Sequence, residues 1–205
     1  MTDTEGKELS AMKKLILVTS PPACGKTYIS KELSKRLKHI VYLDKDSLIP
    51  LSKQIFLAAG EEYNRSSAFF EKYIRDYEYE TVVGMALEAL DYDDKVLINA
   101  PFTREIRDKA YIESLKHTLK KKGAKLAIIW VNTSKEVCRQ RMIARNSDRD
   151  TWKLANWDEY IAGCNFEVPS ELDSPEEKDD LLIFNNSTDK EFEKSMSRIL
   201  AVLEE

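Results

Sequence analysis

Five short apolar runs, at 15–19, 40–43, 96–100, 126–131 and 181–184, constrain the fold of this chain more than any other feature. Each is near-continuous in Leu, Ile and Val rather than alternating, as strands are when a parallel sheet is covered on both faces. Stretches with helical spacing lie between them: 26–37, two or more helices within 47–90, 105–122, 134–145 and 190–203. Gly123 follows a lysine-rich helix end, where a glycine cap is expected. Strands separated by helices of this length predict βαβ crossovers, a mostly parallel five-stranded sheet and a three-layer α/β fold.

One domain, 13–205, is expected behind a polar tail at 1–12 that lacks a signal-peptide core. The acidic, proline-bearing stretch 167–180 reads as an exposed connection into the last strand. With 42% hydrophobic residues, 33% charged residues and a net charge of −4, the chain reads as globular, with no general attraction to nucleic acid or anionic membrane. No apolar run approaches the roughly 20 residues of a membrane span. The three cysteines, Cys24, Cys138 and Cys164, are scattered and form no C-x-x-C pair. That argues against a disulfide frame or a zinc site, and a cytoplasmic setting is expected.

The stretch "SPPACGKT", residues 20–27, joins the first strand to the first helix. A phosphate loop works because successive backbone N–H groups face one concavity at a helix N-terminus that already favours anions. Pro22, Ala23, Cys24, Gly25, Lys26 and Thr27 are the candidate cradle. Gly25 lets the backbone approach the phosphates, Lys26 reaches the β- and γ-phosphates, and the Thr27 hydroxyl suits Mg²⁺. Ser20 stands where the common pattern has glycine, and Pro22 has no N–H to give. The donors come mainly from the second half of the loop, so both departures are modest. ATP and Mg²⁺ are the expected cofactors.

Three further places, read together with this loop, make the chain similar to the small P-loop kinases. The resemblance is to the branch holding polynucleotide 5′-kinase, zeta-toxin-like kinases and chloramphenicol phosphotransferase, and it covers most of the chain from Lys13 onward. "VYLDKDSL" follows the second strand and "VLINAPFTREIRD" carries the third. "VNTSKEVCRQRMIARNSDRD" holds the fourth strand and an arginine-bearing segment. The resemblance implies a P-loop fold with strand order 2-3-1-4-5, an acceptor-binding region at 47–94 and a helical lid at 134–160. It implies that Asp46 faces the acceptor hydroxyl as base, with Asp44 on the metal side. It also places Asn99 where many relatives carry a metal-shell aspartate.

The chemistry of these residues can be judged directly. Asp44 and Asp46 fall at the carboxyl end of a strand, where α/β sheets bind ligands. A kinase needs a carboxylate to orient the attacking hydroxyl and accept its proton, although either aspartate could instead cap the next helix. Arg141, Arg145 and Arg149 recur every four residues and share one face if helical, with Arg139 to the side. Such guanidinium groups suit the charge of a transferring phosphoryl group, or form a basic face paired with Asp148 and Asp150. Arg141 and Arg145 are the catalytic candidates, and Arg139 is a nucleotide contact. Arg104 is a weaker candidate on the acceptor side.

Phe69, Tyr73 and Tyr77 are spaced as one helix stripe, to pack the acceptor region or to stack a flat ligand. In "FNNST", Asn185, with Asn186 beside it, could read the adenine edge or form a turn. His39 and His117 read as surface residues. The leading expectation is an ATP- and Mg²⁺-dependent kinase acting on a hydroxyl of a small molecule or nucleic-acid end. The alternatives are an NTP-binding sensor with slow hydrolysis and a hydrolase using the same loop.

Overall fold

A computed structural model describes residues 12–146, 150–169, 172 and 180–204. Five strands form one parallel sheet in the order β2-β3-β1-β4-β5. They are β1 (Lys13–Thr19), β2 (Ile40–Asp44), β3 (Lys95–Asn99), β4 (Ala124–Asn132) and β5 (Leu181–Asn185). The predicted runs locate all five to within two residues at each end, β1 beginning at Lys13, β4 at Ala124 and β3 ending at Asn99.

Alternate residues of the central strands face opposite layers, and this divides the core in two. Leu15, Leu17, Val96, Ile98, Ile128 and Trp130 pack beneath α4 (Arg75–Ala89) and α5 (Lys109–Lys121). Ile16, Val18, Leu97, Ile129, Val131, Leu182 and Phe184 pack beneath α1 (Lys26–Arg36), α6 (Lys135–Arg145) and α9 (Asp189–Glu204). Among the described residues no helix is long and apolar enough to cross a membrane.

The region after β2 starts with a 3₁₀ turn, Lys45–Leu48, and continues through α2 (Ile49–Ala59) and α3 (Ala68–Tyr73) into α4. Phe56, Phe70 and Ile74 make a separate small core there, with Phe69 against it. The expected single stripe through Phe69, Tyr73 and Tyr77 does not form. The helix breaks at Ile74, where ψ is −47 but φ is −128. Ile74 is buried beside Phe56 and Phe70 at this break, which the bonds from Ile74 N–H to the Phe70 carbonyl and from Glu78 N–H to the Ile74 carbonyl span. Phe69 and Tyr73 still meet, with ring centroids 5.1 Å apart, whereas Tyr77 stands exposed on α4.

Two short helices, α7 (Thr151–Ala155) and α8 (Trp157–Ala162), follow α6. Asn146 ends α6 in the left-handed conformation, so the expected four-residue arginine spacing stops at Arg145. Arg149, Asp148, most of the 167–180 connection and nearly all of the N-terminal tail lie outside the described residues. Gly123, with φ +66, terminates α5 as expected.

Candidate active site

The strand order reverses beside β1, which lies between β3 and β4. Such a switch point leaves a crevice at the carboxyl ends of the strands. The loop from Ser20 to Gly25 fills it and feeds into α1. The first intrahelical bond runs from Ile29 N–H to the Gly25 carbonyl at 3.1 Å, and no side chain caps the helix. The N–H groups of Lys26, Thr27 and Tyr28 therefore carry the unsatisfied positive end of the helix.

Two left-handed residues shape the loop, Ala23 with φ 63 and Gly25 with φ 90. Between them, the Cys24 carbonyl accepts hydrogen bonds from Asn186 Nδ2 at 2.7 Å, Thr133 Oγ1 at 3.0 Å and Arg141 Nη1 at 3.1 Å. Three separate elements thus pin one carbonyl. A side chain at position 25 has no room, since its Cβ would lie 2.6 Å from Asn186 Nδ2 and 3.2 Å from Arg141 Nη1.

Asn99, buried at the end of β3, is the hub of the polar cluster. Its Oδ1 accepts from Lys26 Nζ at 3.2 Å. Its Nδ2 donates to Asp44 Oδ2 at 2.9 Å and to Thr27 Oγ1 at 3.2 Å. Asp44 and Asn99 are register partners on adjacent strands, so an aspartate at position 99 would set two carboxylates against each other. An amide there satisfies Lys26 and Asp44 together, which accounts for the departure seen in the sequence. Tyr42 donates its hydroxyl hydrogen to Asp44 Oδ2 at 2.8 Å. Burial, followed by that bond to Asp44, raises the Tyr42 phenol above its ordinary range.

Burial lowers the Lys26 ammonium from its usual value, while Asp46 and Asp44 oppose the shift and Lys45 reinforces it. Asp44 also caps the turn after β2, its Oδ1 accepting from Asp46 N–H at 3.0 Å. That bond is the capping role weighed from the sequence, while Oδ2 faces Asn99 and Tyr42. The Asp46 carboxylate is exposed, 3.8 Å from Lys45 Nζ.

Lys45 is buried and bonds Glu78 Oε2 at 2.9 Å. Glu78 also accepts from Ser52 Oγ, and from Arg65 through two N–H···O bonds of 2.7 Å. Burial pushes this carboxyl up, but the hydrogen bonds from Arg65, Lys45 and Ser52 outweigh it and bring it down to about 2. The network links the 3₁₀ turn, α2, the loop before α3, and α4. Nothing local in the sequence marks it.

Of the arginines on α6, Arg141 reaches the loop, bonding the Cys24 carbonyl and the Asn186 carbonyl at 2.9 Å. Arg145 is engaged instead by the fully buried Asp150, through Nε and through Nη2 at 2.7 Å. Arg139 lies over the Trp157 ring at 5.5 Å, and Arg104 forms a forked pair with Glu71. Asn185 accepts from Asn132 Nδ2 at 2.9 Å, while its neighbour Asn186 holds the loop. Strand alternation carries this signal: Leu182 and Phe184 face the helical layer containing Cys24, and Asn186 continues that phase. His39, exposed, lies with Asp93 and Asp94 at the amino ends of β2 and β3, the end of the sheet opposite the loop.

A hydroxyl and a carboxylate joined through Asn99, beside an open helix N-terminus, are hard oxygen donors of the kind Mg²⁺ takes. The cradle and donor set thus fit a magnesium-bound nucleoside triphosphate. Residues 15–166 match the family model described as AAA domain. No curated protein gives a significant match. Among solved structures, the chain is similar to a shikimate kinase from Bacteroides thetaiotaomicron, with TM-score 0.54, 17% identity, and coverage of 95% of this chain and 100% of that one. It is similar to a gluconokinase from Sinorhizobium meliloti 1021, with TM-score 0.51, 10% identity and coverage of 94% and 95%. It is also similar to a sugar kinase from Janibacter sp. HTCC2649, with TM-score 0.54, 12% identity and coverage of 94% and 95%. At these identities the likeness is one of fold.

Proposed function

We propose, for a chain that belongs to the AAA domain family and has the fold of small P-loop kinases, ATP- and Mg²⁺-dependent transfer of the γ-phosphoryl group to an acceptor hydroxyl. The observation that carries this reading is the Asn99 hub, which gathers Lys26, Thr27 and Asp44 at the mouth of the loop. The N–H groups of Gly25, Lys26 and Thr27 bind the phosphates, and Lys26 supplies a positive charge beside the β- and γ-phosphates. Thr27 and Asp44 would hold Mg²⁺, which when bound neutralises charge on the phosphate oxygens. Asp46 orients the acceptor O–H and takes its proton late, as oxygen bonds the γ-phosphorus and the bond to the ADP oxygen breaks. Arg141, whose guanidinium holds the Cys24 and Asn186 carbonyls, is the arginine that would steady charge on the transferring group. Closure of 134–160 over the site would exclude water. The region 47–94 receives the acceptor.

The test uses ATP labelled at the γ-phosphate, with pooled sugars, nucleosides, hydroxy acids and 5′-hydroxyl oligonucleotides. Label in an organic phosphate ester, absent with Lys26→Ala, is the expected result. Label in inorganic phosphate alone would favour a hydrolase. ATP binding without turnover would favour a sensor.

A further inference from the structure

We propose that Cys24 and Cys138 form an oxidation site, where a peroxide joins the two sulfurs and the disulfide shuts the phosphate loop to nucleotide. The two lie 114 positions apart in sequence, yet their Sγ atoms are 3.5 Å apart. Cys24 stands in the loop and Cys138 in the first turn of α6. Both thiols are buried, at 1% and 0% exposure, so each has the other as its fixed neighbour. A disulfide has an S–S distance of about 2.05 Å, so the sulfurs must approach by about 1.5 Å. A side-chain adjustment with a small loop shift covers that distance.

The pair is chemically unequal. The hydrogen bond between the sulfurs, with burial, pushes the Cys24 thiol up. The same bond pulls Cys138 down, against its burial and with help from the Arg141 guanidinium. Cys138 is thus the better thiolate and Cys24 the resolving thiol. The Cys138 thiolate attacks one peroxide oxygen, the O–O bond breaks, and a sulfenic acid and hydroxide result. Cys24 sulfur then displaces the sulfenic oxygen, which leaves as water. In sum, two thiols and hydrogen peroxide give one disulfide and two waters, with two electrons passing from sulfur to oxygen.

The loop is sensitive to this change because of where Cys24 sits. It lies between left-handed Ala23 and Gly25, and its carbonyl is held by Asn186, Thr133 and Arg141. Drawing its sulfur toward α6 turns the peptide planes on both sides, and the phosphate-facing N–H groups turn with them.

The inference rests on the nucleotide site assigned above, and the experiment separates the two. A Cys164→Ser protein is treated with hydrogen peroxide. Its disulfides are mapped by non-reducing peptide mass spectrometry, and its ATP·Mg binding is measured by calorimetry. The expected results are a Cys24–Cys138 cross-link, loss of ATP binding and recovery of binding with dithiothreitol. Cys138→Ser, or Cys138→Ala should the serine fail to fold, keeps ATP binding after the same treatment. Absence of the cross-link at peroxide levels that oxidise Cys164 in the wild type would overturn the pairing. A cross-linked protein that binds ATP like the reduced one would overturn the control. Reduced protein that binds no ATP would overturn both this inference and the nucleotide site.

Discussion

The loop side of the crevice and the proposed acceptor side are built in different ways. On the loop side, Gly25, Lys26 and Thr27 are consecutive, and backbone geometry sets their roles. On the acceptor side, Asp46 is supported by Lys45, which depends on Glu78, which also holds Arg65 and Ser52. The first is a local device on a helix terminus. The second is a network around the buried Lys45–Glu78 pair, drawn from four elements. Damage to the loop side should therefore abolish nucleotide use and spare the fold, whereas damage to the acceptor network should weaken the fold first.

The largest effect on stability is expected from Glu78→Ala. Removing one partner of a buried ion pair typically costs about 3–5 kcal/mol, because the remaining charges are left uncompensated. Urea unfolding reads this, and ATP affinity of the folded fraction should stay near wild type. Glu78 also predicts a pH dependence. Its carboxyl lies at about 2 in the fold against an ordinary 4.5. Its contribution is thus complete above the unfolded value and is lost as pH falls from 4.5 toward 2. Glu78→Gln should flatten the loss of stability across that acid window. An unchanged acid limb would detach Glu78 from the network.

On the loop side, Lys26→Ala should cost about 3–4 kcal/mol of transition-state stabilisation, as removal of a positioned electrostatic group does. Its urea midpoint should shift little, since among the described residues the Lys26 ammonium makes one hydrogen bond, to Asn99. Loss of fold equal to that of Glu78→Ala would break the contrast between the two sides. The smallest effect belongs to Arg104→Ala. Its pair with Glu71 is largely exposed, and such pairs contribute about 0–1 kcal/mol. A drop in acceptor affinity without a drop in stability would instead move Arg104 into the acceptor site.

The same contrast explains how much was legible in the sequence. The five strands and the cradle follow from short-range patterns: continuous apolar runs, and a Gly-Lys-Thr joining strand to helix. The acceptor network joins residues 33 and 13 positions apart, Lys45 and Arg65 to Glu78, and no helical or strand period reports such a pairing. The break at Ile74 was hidden because the 3.6-residue spacing of the aromatics continues across it, and only the small core of Phe56 and Phe70 reveals it. Arg145 shares its spacing with Arg141, yet burial of Asp150 claims its guanidinium. Asn99 shows a departure from pattern in the sequence, but its reason lies in the register with Asp44 on the next strand.

The division of labour between the two sides is tested most directly with Asp46→Asn beside Lys26→Ala. For each, ATP·Mg affinity is measured by calorimetry, and transfer of labelled phosphate is measured to the acceptor found in the pooled screen. The amide keeps the shape of Asp46 but cannot take the acceptor's proton, a loss worth about 10²–10⁴-fold in rate. Asp46→Asn should therefore bind ATP like the wild type and lose transfer, whereas Lys26→Ala should lose both. An Asp46→Asn protein that binds ATP poorly yet transfers at the wild-type rate when saturated would place Asp46 with the nucleotide and contradict the account.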